Sequence, residues 1–441
     1  MFKVINKTSC KIFSIFGIEI FKIKEKTAKF KIYLFGITIG VIPKTLVLRC
    51  NNPHSINDFV KFLFNTNKNL SSSFVKITQN PYVRKDNDVK LLAYYLPQFH
   101  AIPLNDENIQ KGFTEWNNVA KALPHFTGHY QPQLPIDVGF YDLSHDDVMY
   151  RQIELAKMYG IYGFCFHYYW FSGDRLLEKP IFNWLNNKDL DFPFCFCWAN
   201  ENWSKLWDGG NKELLKKQEL KKDDDEKFFY DILPFFKDER YIKIDNKPVL
   251  IIYNPLMFEK ARFLKFINNI RALAQKEDFD DLYIIATNCR GFNSQKEWQF
   301  DAIAEFPPHN LQKPKFLSIN KHFRNHLFQA SITDMKDYIE NKKYMYFSDN
   351  NLFKGVFPSW DNTARKAYSG AGVYWGETPE LYKMWLSDCI KWTKANHPEN
   401  EQFVFINAWN EWAEGAHLEP DHKYGYAYLQ ATKDAMENGQ T

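Results

Sequence analysis

From Lys90 onward the chain alternates between two hydrophobic patterns. Short apolar runs lie near residues 91–96, 162–167, 194–198, 248–253, 283–287, 301–306, 355–359 and 403–407. Near-continuous apolar runs of this length read as strands covered on both faces. Between most of them apolar residues recur at helical spacing, over 145–159, 176–187, 223–236, 257–276, 330–341 and 379–396, and again over 424–437. Strands alternating with helices predict parallel βαβ units, and eight strands over roughly 350 residues fit a (β/α)8 TIM barrel of the α/β class with long loops. An open doubly wound sheet is the other arrangement. No Gly-rich phosphate loop follows the first strand, where such a sheet would place it.

Ahead of this region the pattern differs. Ile15-Phe16-Gly17-Ile18-Glu19-Ile20 is echoed by Leu34-Phe35-Gly36-Ile37-Thr38-Ile39, which predicts two short strands or hairpins bent at glycine. Lys22, Lys24, Lys26, Lys29 and Lys31 lie between the copies. A helix is expected from Ile56 to Phe64, then a Ser/Asn/Lys-rich linker. The formal net charge is only +3, yet residues 1–90 hold 16 Lys and Arg against 5 Asp and Glu. A basic arm on an acidic body fits contact with an anionic surface, either a membrane or a phosphate-bearing glycan carrier; a solubilising terminus is the plain alternative. The expected domains are 1–85, a basic N-terminal extension, and 86–441, the barrel.

Composition adds a few limits. The 441 residues are 45% apolar, which argues against global disorder, and 17% aromatic. Cys10, Cys50, Cys165, Cys195, Cys197, Cys289 and Cys389 form no CxxC pair and no metal-ligand spacing, so they read as buried thiols of a reducing compartment. No uncharged apolar window of about 18 residues predicts a spanning helix, and no signal peptide is expected. The expected location is the cytoplasm, at the inner face of the membrane if the basic arm binds there.

Candidate chemistry collects where the barrel reading puts active sites, at the C-terminal ends of strands. Tyr94, Tyr95, Gln98 and His100 follow the first run, and His167 and Tyr168 the second. Trp198, Asn200, Glu201 and Trp203 follow the third, Tyr253 ends the fourth and Glu305 the sixth. Glu115 and Trp116 lie in a long first loop. All are candidate substrate contacts. The last run, Phe403 to Ile406, leads into Trp409, Asn410, Glu411, Trp412 and Glu414. Two carboxyls in an aromatic setting suit glycosidic bond cleavage, where one gives a proton to the leaving oxygen and the other stays ionised as base or nucleophile. The tryptophans would stack on sugar faces and shield the acid from water. The plain alternative for the glutamates is a helix N-terminus, where acids favour the dipole. Glu201 could likewise cap a helix. His417, His422 and Asp421 match no strong zinc pattern, and Asp223-Asp224-Asp225 reads as a solvated helix start, so no metal and no cofactor are expected. No basic patch on the body predicts a nucleic-acid partner.

Several long motifs carry a family likeness. Ala93-Tyr94-Tyr95-Leu96-Pro97-Gln98-Phe99-His100, Gly112-Phe113-Thr114-Glu115-Trp116, Gly160-Ile161-Tyr162-Gly163-Phe164, Trp198-Ala199-Asn200-Glu201-Asn202-Trp203 and Asn407-Ala408-Trp409-Asn410-Glu411-Trp412-Ala413-Glu414-Gly415 resemble the WbsX-like group of bacterial surface-polysaccharide clusters. That group is related to glycoside hydrolase family 99, and the likeness covers roughly residues 90–437. It implies a (β/α)8 barrel acting, without a cofactor, on an oligosaccharide or polysaccharide such as O-antigen or capsule, free or lipid-linked. Family 99 enzymes are retaining endo-α-mannosidases with paired glutamates in a Glu-Trp-x-Glu segment. By that resemblance Glu414 is the general acid/base, and Glu411 the base that draws the sugar 2-hydroxyl onto the anomeric carbon. The opening Tyr-Tyr-Leu-Pro-Gln differs from the Tyr-Tyr-Pro-Trp-Tyr of the hydrolases. Members of the group also carry the label glycosyltransferase, so transfer, or glycan binding without catalysis, stands beside hydrolysis.

Overall fold

The computed structural model describes the backbone of strands within residues 2–43, and residues 70–439 apart from 127, 206–212, 313, 318–327, 347, 349 and 367–368. The chain divides into two compact units, one of residues 1–68 with 124–129 and 319–328, the other of the remainder.

In the first unit five strands, Phe2–Lys7, Cys10–Ile15, Ile18–Lys26, Lys29–Leu34 and Ile37–Pro43, pair in order as an antiparallel sheet. Both sequence repeats fall at hairpins: Ile15 pairs with Ile18, and Leu34 with Ile37. Each hairpin also shifts register at the equivalent place, at Phe13/Ser14 and at Ile32/Tyr33, so the repeat extends to the backbone. The helix expected at 56–64 and the side chains of the basic arm lie outside the described residues.

In the second unit eight parallel strands close on themselves. They are β1 (Lys90–Tyr95), β2 (Gly163–Phe171), β3 (Phe194–Trp198), β4 (Lys247–Ile252), β5 (Tyr283–Thr287), β6 (Ala302–Ala304), β7 (Leu352–Val356) and β8 (Phe403–Ile406). Each pairs with the next, and β8 returns to β1 through Phe403–Lys90 to Ile406–Ala93. Helices α1 (Asp147–Met158), α2 (Lys179–Asn186), α3 (Asp224–Phe236), α4 (Lys260–Lys276), α5 (Met335–Glu340), α6 (Pro379–Asn396) and α7 (Ala427–Gly439) complete the (β/α)8 barrel. The connection between β5 and β6 has two short 3-10 turns, Cys289–Gly291 and Lys296–Trp298, in place of a helix.

Strand alternation decides which side chains can reach a site. Along β2, His167 stacks on Tyr94 inside the barrel, whereas Tyr168 packs on Phe196 and Trp170 on Phe228 of α3. At the end of β3, Trp198 packs outward on Phe228 and Phe266.

Three local readings change. Residues 330–341 are not one helix: Gln329–Asp334 is a strand parallel to Ser369–Trp375, and Asp334 then caps α5 by accepting from the Asp337 amide. The β-branched Ile332 and Thr333 favour that strand. The seventh strand begins at Leu352 rather than 355 because it contains a buried lysine, Lys354, whose Nζ lies 3.0 Å from Glu305 Oε1 and 3.0 Å from the Tyr344 carbonyl. Residues 70–85, expected as linker, are bonded to the barrel unit: Val75 exchanges backbone bonds with Tyr424 and Tyr426, and the Tyr82 amide donates to Met158 O at 2.7 Å. The five cysteines whose side chains are described are all buried and free. Among the described residues no helix is long and apolar enough to cross a membrane.

Candidate active site

The carboxylate pair is presented by a small hairpin, not by a helix start. After β8 the chain reaches Asn410–Glu411, which pairs antiparallel with Ala416–His417. Between them lies the 3-10 turn Trp412–Glu414, closed by Gly415 at φ 60°. A Cβ there would meet Gln133 Nε2 at 2.9 Å and the Asp361 amide at 3.0 Å, so glycine is required by space as well as by backbone angle. The Asp361 amide donates to the Glu414 carbonyl at 2.7 Å, tying this turn to the segment after β7.

That segment supplies Arg365. Asp361 caps the 3-10 turn Asn362–Ala364 by accepting from the Thr363 amide, and Arg365 follows. Its Nη1 lies 2.7 Å from Glu414 Oε1, its Nη2 3.1 Å from Glu411 Oε2, and its Nε 3.2 Å from Glu115 Oε2. One buried guanidinium therefore holds three carboxylates gathered from the first loop and the last strand. Opposite charges on three sides keep Arg365 firmly protonated. Burial pushes the Glu411 carboxyl up to about 8; Arg365 opposes the rise, and the charges of Glu414 and Glu115 add to it. Burial also raises Glu115, against the pull of Arg365.

Glu411, Glu414 and Arg365 open on a cavity of about 590 Å³. Of the residues singled out from sequence, Gln98, His167, Glu201, Trp203 and Tyr253 line it as well. Trp203 meets Tyr169 edge-on at 5.3 Å, and Gln98 donates to the Tyr169 hydroxyl at 2.7 Å. Glu201 accepts from Arg290 Nη2 at 2.6 Å, Arg290 Nε at 2.8 Å and Asn254 Nδ2 at 3.0 Å, all on Oε1. It is a paired wall residue and caps no helix. Burial, with Arg365 nearby, holds His167 down at about 4, so its imidazole is neutral at pH 7. His167 Nδ1, Asn254 Oδ1 and Asn407 Oδ1 are buried without hydrogen-bond partners, and all three residues line the cavity. A ligand carrying hydroxyl or other polar groups would satisfy such atoms.

The other candidates sit outside the cavity lining. Tyr94 is packed inside the barrel against Phe306 and Phe405. Tyr95 points out to α1, where its hydroxyl donates to Gln152 Oε1 at 2.7 Å. His100 bonds the Pro97 carbonyl through Nδ1. Glu115 stands behind Arg365 with no exposure. Trp116 donates to the Tyr141 carbonyl and packs on Phe99 and Trp412. Tyr168 is bonded to Asp231, and Trp198 is core. Asn200 braces Asn254, bonding both its amide and its carbonyl. Glu305 pairs with Lys354 and accepts from the Gly355 amide. Asn410 bonds the Leu96 amide and carbonyl. Trp409 and Trp412 do not present faces for stacking: both indoles donate to Glu419, at 3.1 and 2.6 Å. The reason is common to most of them. Strand alternation turns every second side chain away from the barrel mouth, and the loops bury their aromatics against one another.

Tyr169, Arg290, Trp360 and Asn407, which the sequence already places at the ends of the second, fifth, seventh and eighth runs, also line the wall, and the structure adds His309, Lys366 and Arg365. Arg365 left one trace in sequence, a lone arginine shortly after a strand end in a barrel whose other strand ends carry carboxylates. The remaining acidic motifs are structural. Asp224 accepts from Ser172 and the Lys221 amide, Asp225 pairs with Arg262, and His417 bonds Gln133.

The barrel fold recurs among solved structures. A solved structure titled "Glycoside hydrolase-like protein" superposes with TM-score 0.50 at 15% identity, over 82% of this chain and 98% of that one. The GH99 endo-alpha-mannosidase from Bacteroides thetaiotaomicron gives TM-score 0.49 at 12% identity, over 80% of this chain and 98% of its own. The chain belongs to the family described as Glycosyltransferase WbsX, whose profile matches residues 91–432. It is 39% identical over 348 residues to WxcX of Xanthomonas campestris pv. campestris, a protein described as uncharacterized, covering 78% of this chain and 49% of the relative. The chain thus spans about half the length of the curated relatives it matches.

Proposed function

We propose that this protein is a glycoside hydrolase or transglycosylase acting on a bacterial surface polysaccharide, with Glu411 and Glu414 as its acid/base pair. The observation that carries this reading is the single guanidinium of Arg365 holding both carboxylates at the wall of one cavity. Arg365 fixes their positions without occupying every oxygen, which leaves each carboxyl able to face a bound sugar.

In the first step Glu414 gives its proton to the glycosidic oxygen as the bond from that oxygen to C1 breaks. Glu411 takes the proton of the sugar 2-hydroxyl, and the 2-oxygen closes on C1. In the second step water, or another sugar hydroxyl, attacks C1 and reopens the ring. The attacking group passes its proton to Glu414 and Glu411 returns its own to the 2-oxygen. Glu411 works as base in its ionised form, whose share grows as pH rises through about 8, and its high proton affinity then favours taking the hydroxyl proton. Trp203, Trp360 and Tyr253 supply aromatic wall for the sugar.

Incubation of the purified protein with the surface polysaccharide of its producing organism tests the reading. Mass spectrometry should find shortened or redistributed glycans, and an unchanged polysaccharide counts against it. The description of the family favours a second reading, a glycosyltransferase, whose acceptor we propose to be lipid-linked. It requires nucleotide-sugar binding, which titration with a nucleoside diphosphate measures.

A further inference from the structure

Among the described residues three cations line the cavity, and they differ in how they are used. Arg365 is committed to three carboxylates. Arg290 directs Nε and Nη2 to one oxygen of Glu201 while its side chain is 61% exposed. Lys366, the residue after Arg365, has no carboxylate partner among the described residues, although it forms part of the same wall. A cavity lysine is stable while water solvates it. A glycan that fills the cavity expels that water, and the ammonium then needs a new partner. Neutral hydroxyls replace it poorly; a negative charge replaces it well.

His309 locates the surplus. It lines the cavity beside Tyr253, with Nε2 3.3 Å from the tyrosine hydroxyl. Burial lowers its proton affinity most; Glu414 and Glu201 raise it, and Arg290 and Lys366 lower it further. Glu414, Glu201, Arg290 and Lys366 line the same cavity as this imidazole. Both acids in this group are already paired with arginine, Glu414 with Arg365 and Glu201 with Arg290.

From this arrangement we infer that the cavity takes an acidic glycan, with a carboxylate or phosphate substituent of the sugar seated against Lys366 and the free edge of Arg290. The inference rests on the reading of the cavity as a glycan site, and it names the substrate class that site selects. The chemistry shared by the two substituents is a localised negative charge with several acceptor oxygens.

Binding, not turnover, is the appropriate test, so that it still reports if no cleavage is found. The probe is the producing organism's surface polysaccharide in three forms: native, carboxyl-reduced so that uronic acids become neutral sugars, and dephosphorylated. Affinity electrophoresis or calorimetry measures each against wild type and Lys366→Met. The expected result is that one treatment weakens wild-type binding by tenfold or more, and the treatment that does so identifies the substituent. Lys366→Met should bind the native form as weakly as wild type binds the treated form, and should barely distinguish the two. Equal wild-type binding of all three forms overturns the inference, as does a Lys366→Met variant that keeps full discrimination. Lys366→Arg retains the charge and should restore discrimination, which separates lost charge from a disturbed fold.

Discussion

Glu115 and Arg365, 250 residues apart in the chain, meet as a buried ion pair with Nε 3.2 Å from Oε2. The pair anchors the guanidinium from behind while its other nitrogens face Glu411 and Glu414. Glu115→Ala should therefore act on the site without touching it. It leaves a buried arginine with two of its three counter-charges, and losing one buried hydrogen-bond partner costs about 1–3 kcal/mol. Denaturant unfolding should show a loss of that order. Stability equal to wild type would mean that Glu115 is not the anchor.

The Glu411 carboxyl, raised to about 8 by burial, makes two pH predictions. As a base it works ionised, so glycan cleavage should rise with pH through about 8, and Glu411→Gln should remove that limb along with most activity. A limb falling through the same range would make Glu411 the proton donor instead. For stability the sign is fixed by linkage. Above the ordinary 4.5 the unfolded chain releases a proton that the folded protein keeps, so the favourable contribution is complete below 4.5 and is lost as pH rises through about 8. Thermal unfolding of Glu411→Gln should accordingly vary less between these limits than that of wild type.

Much of this was legible in the sequence, and the failures share a cause. Eight apolar runs located the eight barrel strands, because a parallel strand covered on both faces leaves a nearly uncharged segment. The acid pair was found because it directly follows the last run. The walls were less legible. Tyr168 and Tyr169 are adjacent and chemically identical, yet only Tyr169 reaches the cavity; register, not residue type, decides between them. Trp409 and Trp412 looked like sugar platforms because sequence shows an indole but not its direction. Arg365 was missed because its three partners lie 250, 49 and 46 residues away.

Glu419 unites the loop that carries the acids. It accepts from Gln152 and Trp409 on Oε1, and from Tyr141 and Trp412 on Oε2. Glu419→Ala strands four buried donors, each worth about 1–3 kcal/mol when unsatisfied. The expected outcome is a loss of at least about 3 kcal/mol in chemical unfolding, together with reduced glycan cleavage. A loss below about 1 kcal/mol would show that the indoles find other partners.

Glu305 separates structure from binding. Its partner Lys354 has no exposure, so Glu305→Ala leaves an uncompensated buried ammonium and should cost about 3–5 kcal/mol. Any glycan affinity measured on the folded fraction should stay within about twofold of wild type, since Glu305 is not part of the cavity wall. A tenfold fall in affinity with unchanged stability would return Glu305 to the substrate contacts.

The most direct measurement compares wild type with Glu414→Gln on the producing organism's polysaccharide, with products followed by mass spectrometry and folding checked by circular dichroism. General acid/base catalysis contributes roughly 10²–10⁴-fold, so a folded Glu414→Gln protein should cleave or transfer at least about a hundredfold more slowly. Cleavage at the wild-type rate by the folded variant would contradict the account.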